Sequence, residues 1–292
     1  MRELGARKGT SMNKRSKKTG KLIQYGVLIT GGLIILYPLI WMFFASFKDN
    51  QEILTGTGFF PRHFSLEGYR LGWKDNWQYG FKVFMKNSFL LVIPTVLFSV
   101  VSTTLVGYGF ARFHFPGHKL LFAIMLSTLM LPNTVLIIPR YMLFNRFGWI
   151  NTYLPFWIPA LFAATPFHIF MVYQFIRGLP PELDEAAKID GCGPLRILLN
   201  ILVPLIKPVI FSVAVFQFIW NWNDFFNVFI MISGVEKYTL SLGLRMMIDT
   251  DAASAWNQIL AMSVVSLLPC TLFYFAMQKY FVEGIATTGL KG

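Results

Sequence analysis

The chain has 292 residues, of which 55% are hydrophobic and 14% charged, with a formal net charge of +12. Soluble domains carry about 25% charged residues. The shortfall here falls in repeated long apolar runs, which a soluble helical core does not need, so the composition excludes an ordinary soluble protein and predicts an all-α integral membrane protein. The positive charge does not read as a nucleic-acid surface, because it is concentrated at one end.

Residues 1–21 form a basic arm. Arg2, Arg7, Lys8, Lys14, Arg15, Lys17, Lys18 and Lys21 stand there against one acid, Glu3. Such an arm is expected to be irregular and to lie on the cytoplasmic side, beside anionic lipid. Met12 offers a second translation start. The apolar stretch from Leu22 to Ser46 is longer than the apolar core of a secretory signal and has no clear small-residue cleavage site after it, so it predicts a retained first span. Residues 22–292 then read as a single transmembrane domain with six spans, at 22–46, 88–111, 119–143, 152–176, 203–232 and 258–281. Each is long enough for a hydrocarbon core of about 30 Å. Pro132 and Pro139 interrupt the third span and Pro155, Pro159 and Pro166 the fourth; a helical bundle tolerates such kinks where neighbours satisfy the freed carbonyls. With both termini inside, the inner segments hold 16 of the 26 Lys and Arg residues, which favours that orientation. Trp41, Trp149, Trp157 and Trp256 then fall near outer span ends, as an interfacial belt does. Cys192 and Cys270 suggest burial as small apolar groups rather than a disulfide.

The longest inner loop, about 177–202, contains "PPELDEAAKIDGCGP". Pro180 and Pro181 close the fourth span. Glu182, Asp184 and Glu185 then suit the positive end of a new helix. Ala186, Ala187 and Lys188 propagate that helix, and Gly191, after Asp190, stops it. Gly193-Pro194 starts a second helix leading back to the membrane. Two readings fit this short surface helix. It is an ordinary amphipathic connector, or it is a docking element whose small residues let a partner approach the backbone while its charges set orientation at the rim.

The spacing Glu185-Ala186-Ala187, three residues, Gly191, nine residues, Ile201-Leu202-Val203-Pro204 resembles the EAA loop of ABC importer permeases, with Val203 in place of the usual leucine. The resemblance runs from about Tyr37 to Leu242 and includes "NSFLLV", "GYGFARFHFPG", "LMLPNTVLIIPRY" and "WNWNDFF". It is similar to the maltose-type carbohydrate-uptake permeases, and to their MalG-like six-span subunit in particular. His114 and His118 depart from the pattern, where arginine is usual. Pro116 and Gly117 between them break the helix that would align a metal pair, so no metal site is expected. The resemblance implies a coupling helix built from Glu182, Asp184, Glu185, Ala186, Ala187, Asp190 and Gly191, seated on a cytosolic ATPase. It implies a heterodimer with a second permease, two ATPase subunits holding ATP and Mg, an extracytoplasmic solute-binding protein, and a bacterial or archaeal plasma membrane. The chain itself contains no G-x-x-x-x-G-K-[ST] phosphate loop, so it is expected to hydrolyse nothing.

In the fifth span, Gln217, Asn221 and Asp224 fall at helical spacing on one stripe, with Asn223 and Asn227 on an adjoining face. Such groups are costly against lipid, so the stripe predicts either contact with a solute or bonding between helices. Trp220 and Trp222 add aromatic surface, and Asn133 is a weaker solute candidate. The outer loop 47–87, with Trp73 and Trp77, suits either a binding protein or packing on its own spans. The competing function classes are an ion-coupled secondary transporter, an ABC permease for a non-sugar solute, and a polytopic membrane enzyme. The first should show several intramembrane ionisable groups, and Asp224 is the sole acid clearly inside a span.

Overall fold

The computed structural model describes residues 3–56, 58–74, 79–251 and 255–289, and every regular element in it is helical. The chain divides into two compact units. One comprises Met1–Arg70 with Ala253–Val264, the other Leu71–Ala252 with Val265–Gly292.

In the first unit, α1 runs from Glu3 to Ala45. Its apolar part, Ile23–Ala45, is long enough to cross a membrane and has no buried residues in its most apolar stretch. The helix continues through the basic segment that the sequence predicts to be irregular. Lys, Arg, Met and Ala are good helix formers, and no proline precedes Pro38. Beyond it comes α2 (Asn50–Thr55), and aromatic packing joins the segments before and after that helix. Phe47 stacks on Phe64 at 4.7 Å and packs on Tyr69 at 5.3 Å, and Ser46 Oγ lies 2.7 Å from the Tyr69 hydroxyl. The helix α3 (Glu67–Trp73) follows.

The second unit is organised around α4 (Phe81–Arg112), which packs along α7 (Leu154–Leu161), α8 (Pro166–Arg177) and α12 (Lys207–Trp222). Close approach to α8 depends on Gly107, where a Cβ would lie 2.8 Å from a Val172 methyl and 3.3 Å from the Ile169 carbonyl. Small residues at helix crossings are how membrane helices gain packing energy. A polar row, Ser99, Ser102, Thr103 and Thr104, is buried on the same helix. Its hydroxyls donate to the carbonyls of Ala160 (Ser102, 2.6 Å) and Ser99 (Thr103, 2.6 Å).

Among the described residues, four helical stretches are long and apolar enough to cross a membrane, and there are up to six if each of two bent helix pairs is one span. Three of the six predicted spans are not continuous helices. The third, 119–143, is a broken pair. After α5 (His118–Ser127) and one 3-10 turn the chain turns by 108° into α6 (Asn133–Arg146). Pro132 has no N–H for the Thr128 carbonyl and drives Leu131 into an extended conformation (φ −80°, ψ 121°). The fifth, 203–232, is not continuous either. The segment Pro194–Leu205 meets α12 at 81°, where Pro204 and Pro208 both lack the donors a helix needs. At its far end α12 stops at Trp222, and a separate short helix, α13 (Phe226–Met231), follows. The fourth span also breaks, between α7 and α8, where Ala163 takes φ 55°. By contrast Pro94, Pro139, Pro159 and Pro269 stay inside helices. The last elements are α14 (Leu240–Asp251) and α15 (Trp256–Gly289).

Candidate functional site

The predicted docking loop forms the helix α9 (Glu182–Ile189). Three acids fill its first turn, and the amides of Asp184 and Glu185 donate to the Pro181 carbonyl. At its C-terminus Gly191 N donates to Lys188 O (3.0 Å) and Cys192 N to Ala187 O (2.9 Å). This pair of bonds is the Schellman ending, and it requires Gly191 in the left-handed region, at φ 78°. The sequence prediction of a glycine stop is matched in detail. The next helix, α10 (Pro194–Ile197), runs into a π-helical turn, Leu198–Leu202, and then α11 (Val203–Leu205). The Val203 amide bonds back to Leu198 O, a register shift that precedes the donor-less Pro204.

The seven coupling candidates do not share one face. Glu182, Glu185, Ala186, Asp190 and Gly191 are exposed, while Asp184 and Ala187 are buried. Ala187 joins a core with Tyr108, Ala111, Val172, Ile176, Leu198 and Leu202. Asp184 points into the protein, where its Oδ2 lies 2.7 Å from Arg112 Nε. Arg112 also donates from Nη2 to Leu179 O at 3.1 Å, and the Tyr108 hydroxyl donates to Pro194 O at 3.2 Å. Two exposed apolar groups that the sequence reading did not single out lie nearby in the chain: Ile189 of α9, 87% exposed, and Leu195 of the next helix, 64% exposed.

A second site lies between α4, α6, α7, α12 and α13. It is a cavity of about 580 Å³, lined among others by Thr95, Arg140, Thr165, Gln217, Asn221, Asp224 and Asn227, with Phe144, Phe156 and Pro159 as apolar wall. Three of the pathway candidates therefore meet in one place, though not on one helix. Gln217 and Asn221 are on α12, whereas Asp224 stands beyond its end. Asp224 Oδ1 accepts the Asn227 amide N–H at 3.0 Å, and the Asn227 side chain donates to both carboxylate oxygens at 3.0 Å. It thus caps the first turn of α13 as well as facing the cavity. Gln217 is held from behind. Ser99 Oγ donates to Gln217 Oε1 at 3.2 Å and lies 3.3 Å from His168 Nδ1, and Gln217 Nε2 donates to Asn221 Oδ1.

The other pathway candidates fall outside the cavity wall. Asn223 is exposed and donates to the Ile219 carbonyl. Trp220 stacks on His168 with ring centroids 5.1 Å apart. Asn133 contributes indirectly: its Oδ1 accepts from Arg140 Nη2 at 3.0 Å. Arg140 was missed by sequence reasoning, although an arginine directly after Pro139 in an apolar stretch is a visible signal. A larger groove of about 710 Å³, lined by Ile93, Phe211 and Phe273 among others, has entirely apolar walls and offers a polar solute nothing. In the outer loop 47–87, Trp73 packs on Phe81 at 5.8 Å, and Trp77 lies outside the described residues. His118 Nε2 lies 2.9 Å from the Phe110 carbonyl.

Apolar spans bent at prolines around a polar cavity define a polytopic membrane transport protein. The chain belongs to the binding-protein-dependent transport system inner membrane component family, whose pattern matches residues 103–287. It is 31% identical over 272 residues to the sn-glycerol-3-phosphate transport permease UgpE of Pectobacterium atrosepticum, covering 90% of this chain and 95% of that one. It is 29% identical over 265 residues to the diacetylchitobiose uptake permease NgcG of Streptomyces coelicolor, covering 90% and 87%. It is also 29% identical over 260 residues to the trehalose/maltose permease MalG of Thermococcus litoralis, covering 89% and 93%. Its fold is similar to a chain in the crystal structure of a bacterial ABC transporter involved in import of the acidic polysaccharide alginate. That match has a TM-score of 0.81 at 22% identity and covers 91% of this chain and 98% of that one. The chain is thus a permease subunit of an ABC importer and not itself the ATPase, and the secondary-transporter reading is not favoured.

Proposed function

We propose that the chain forms half of the membrane pathway of a carbohydrate importer in a bacterial or archaeal plasma membrane, with both termini in the cytoplasm. The second half is a different permease. Two cytosolic ATPases carry ATP and Mg and receive α9, the EAA-loop helix, through its exposed residues Glu182, Glu185, Ala186, Asp190 and Gly191. An extracytoplasmic binding protein delivers the solute. The observation that carries the carbohydrate reading is the cavity. Amides at Gln217, Asn221 and Asn227, hydroxyls at Thr95 and Thr165, and apolar ring surface at Phe144 and Phe156 line one space. Sugar hydroxyls need paired donors and acceptors, and sugar ring faces need apolar contact. Relatives named for diacetylchitobiose and trehalose/maltose support this reading.

One observation favours a second reading, a solute that carries an acid. The Arg140 guanidinium faces the same cavity, bonded to Asn133, and has no described carboxylate in ion-pair contact. The experiment is solute-stimulated ATP hydrolysis by the complete importer, purified through this chain and placed in proteoliposomes. Neutral oligosaccharides, uronic-acid oligosaccharides and glycerol phosphates are offered in parallel. Stimulation by neutral sugars that falls at least about tenfold in Asn221→Ala supports the reading, since a lost bond to a buried polar partner is worth about 1–3 kcal/mol. Stimulation by phosphates alone overturns it.

A further inference from the structure

The pair Arg112–Asp184 has a consequence for how motion would travel through the protein. Asp184 sits in the first turn of α9 and yet points away from the exposed face, with its side chain 9% exposed. Arg112 is the last residue of α4 and is 12% exposed. One guanidinium grips α9 at two levels, the Asp184 carboxylate within the helix and the Leu179 carbonyl just before it. Four residues back along α4, one helical turn, Tyr108 bonds to Pro194 on the far side of α9. The other inward residue of α9, Ala187, adds only a methyl to the shared core. Polar attachment of α9 to the bundle therefore runs through the end of α4.

The opposite direction along α4 leads to the cavity. Thr95 lines it, and Ser99 holds Gln217, which lines it too. From Arg112 to Thr95 the helix extends about 25 Å at about 1.5 Å per residue. A helix is stiff along its axis, so a displacement imposed at Arg112 arrives at Thr95 and Ser99. We propose that the Arg112–Asp184 ion pair is the transmission link between the docking helix and the solute cavity, and that Asp184 is a positioning residue and not an ATPase contact. This rests on the reading of α9 as the ATPase-docking helix. A buried ion pair suits the task, because neither charge is easily left alone away from water, so the two partners move together.

The test uses the complete importer in proteoliposomes and reads two quantities: ATPase subunits retained per permease, and solute moved per ATP hydrolysed. Asp184→Asn is expected to retain the ATPases and to lower solute per ATP at least tenfold. Loss of one ion alone strands the other and can unfold the loop, so the double variant Arg112→Met with Asp184→Leu is measured beside it. Apolar replacement of both partners restores assembly and should leave solute per ATP equally low. A double variant that couples like the wild type overturns the proposal, as does loss of ATPase retention in an otherwise folded Asp184→Asn protein. Glu185→Lys separates the underlying reading. It should lose the ATPases outright, and if it retains them while the Asp184 variants behave as wild type, the docking reading and the link fall together.

Discussion

Gly191 offers a way to separate backbone strain from docking at one position. Its φ of 78° is closed to most residues, yet a Cβ there would meet no atom within 4 Å. The cost of a side chain is therefore conformational and not steric. A residue with a Cβ pays about 1–2 kcal/mol in the left-handed region, and asparagine pays less because its short amide bonds locally. Gly191→Ala and Gly191→Trp should lower the stability of the isolated permease by a similar amount, and Gly191→Asn by much less. If the exposed face of α9 enters an ATPase cleft, the three variants reorder in the second assay. Tryptophan brings about 150–250 Å² of surface into the interface, so it should abolish ATPase binding, while alanine, whose strain is the same in the free and the docked loop, should leave affinity close to that of the wild type. Thermal melting of the permease in detergent and ATPase affinity in nanodiscs read the two effects separately. Equal ATPase affinity for the Ala and Trp variants would refute the docking face. Equal melting of Ala and wild type would refute the backbone argument.

Gly107→Leu should destabilise the second unit by about 1–3 kcal/mol through overpacking, because the space is already held by Val172. Val172→Ala should recover part of that loss in a double-mutant cycle, and strict additivity would show that the two do not meet. Asn151 holds φ 59° while its side chain accepts the Gly234 amide at 2.9 Å. Asn151→Gly should cost about 1 kcal/mol for the lost bond, and Asn151→Ala should cost about 1–2 kcal/mol more for strain, both read as melting shifts. Gln217→Leu leaves the Ser99 hydroxyl and the Asn221 amide short of a partner. It should cost about 1–3 kcal/mol of stability together with loss of solute-stimulated hydrolysis, and a stable variant with full stimulation would remove Gln217 from the pathway.

Features governed by neighbours in sequence were legible before the fold. Long apolar runs announce the spans, and the Pro-rich start and glycine stop of α9 are local chemistry that needs no tertiary context. The bends were only half legible. Prolines mark where a helix can break, but Pro94 and Pro139 remain inside helices while Pro132 accompanies a turn of 108°. Whether the freed carbonyl finds another partner decides between a kink and a break, and that partner comes from elsewhere in the chain. The stripe of Gln217, Asn221 and Asp224 shows the same limit. The residues do converge on one cavity, but α12 ends at Trp222, so a helical periodicity that places Asp224 on the same face assumed a helix that is not there.

The charged residues of the docking loop make the limit sharper. Helix periodicity on its own puts Asp184 and Ala187, three apart, on one side of α9 and Glu182, Glu185 and Ala186 on others. It does not say which side faces the protein. That is decided by Arg112, far away in sequence, which is placed at the foot of α4 by the length of a different span. A buried carboxylate without such a partner would be costly enough to turn the helix over. Glu185, Ala186 and Gly191 stay outside while Asp184 and Ala187 are held inside. Arg112 substituted alone leaves a buried carboxylate unpaired and should disturb docking and coupling together, whereas Asp184→Asn, or apolar replacement of both partners, keeps the inner side of α9 buried and should lose coupling alone.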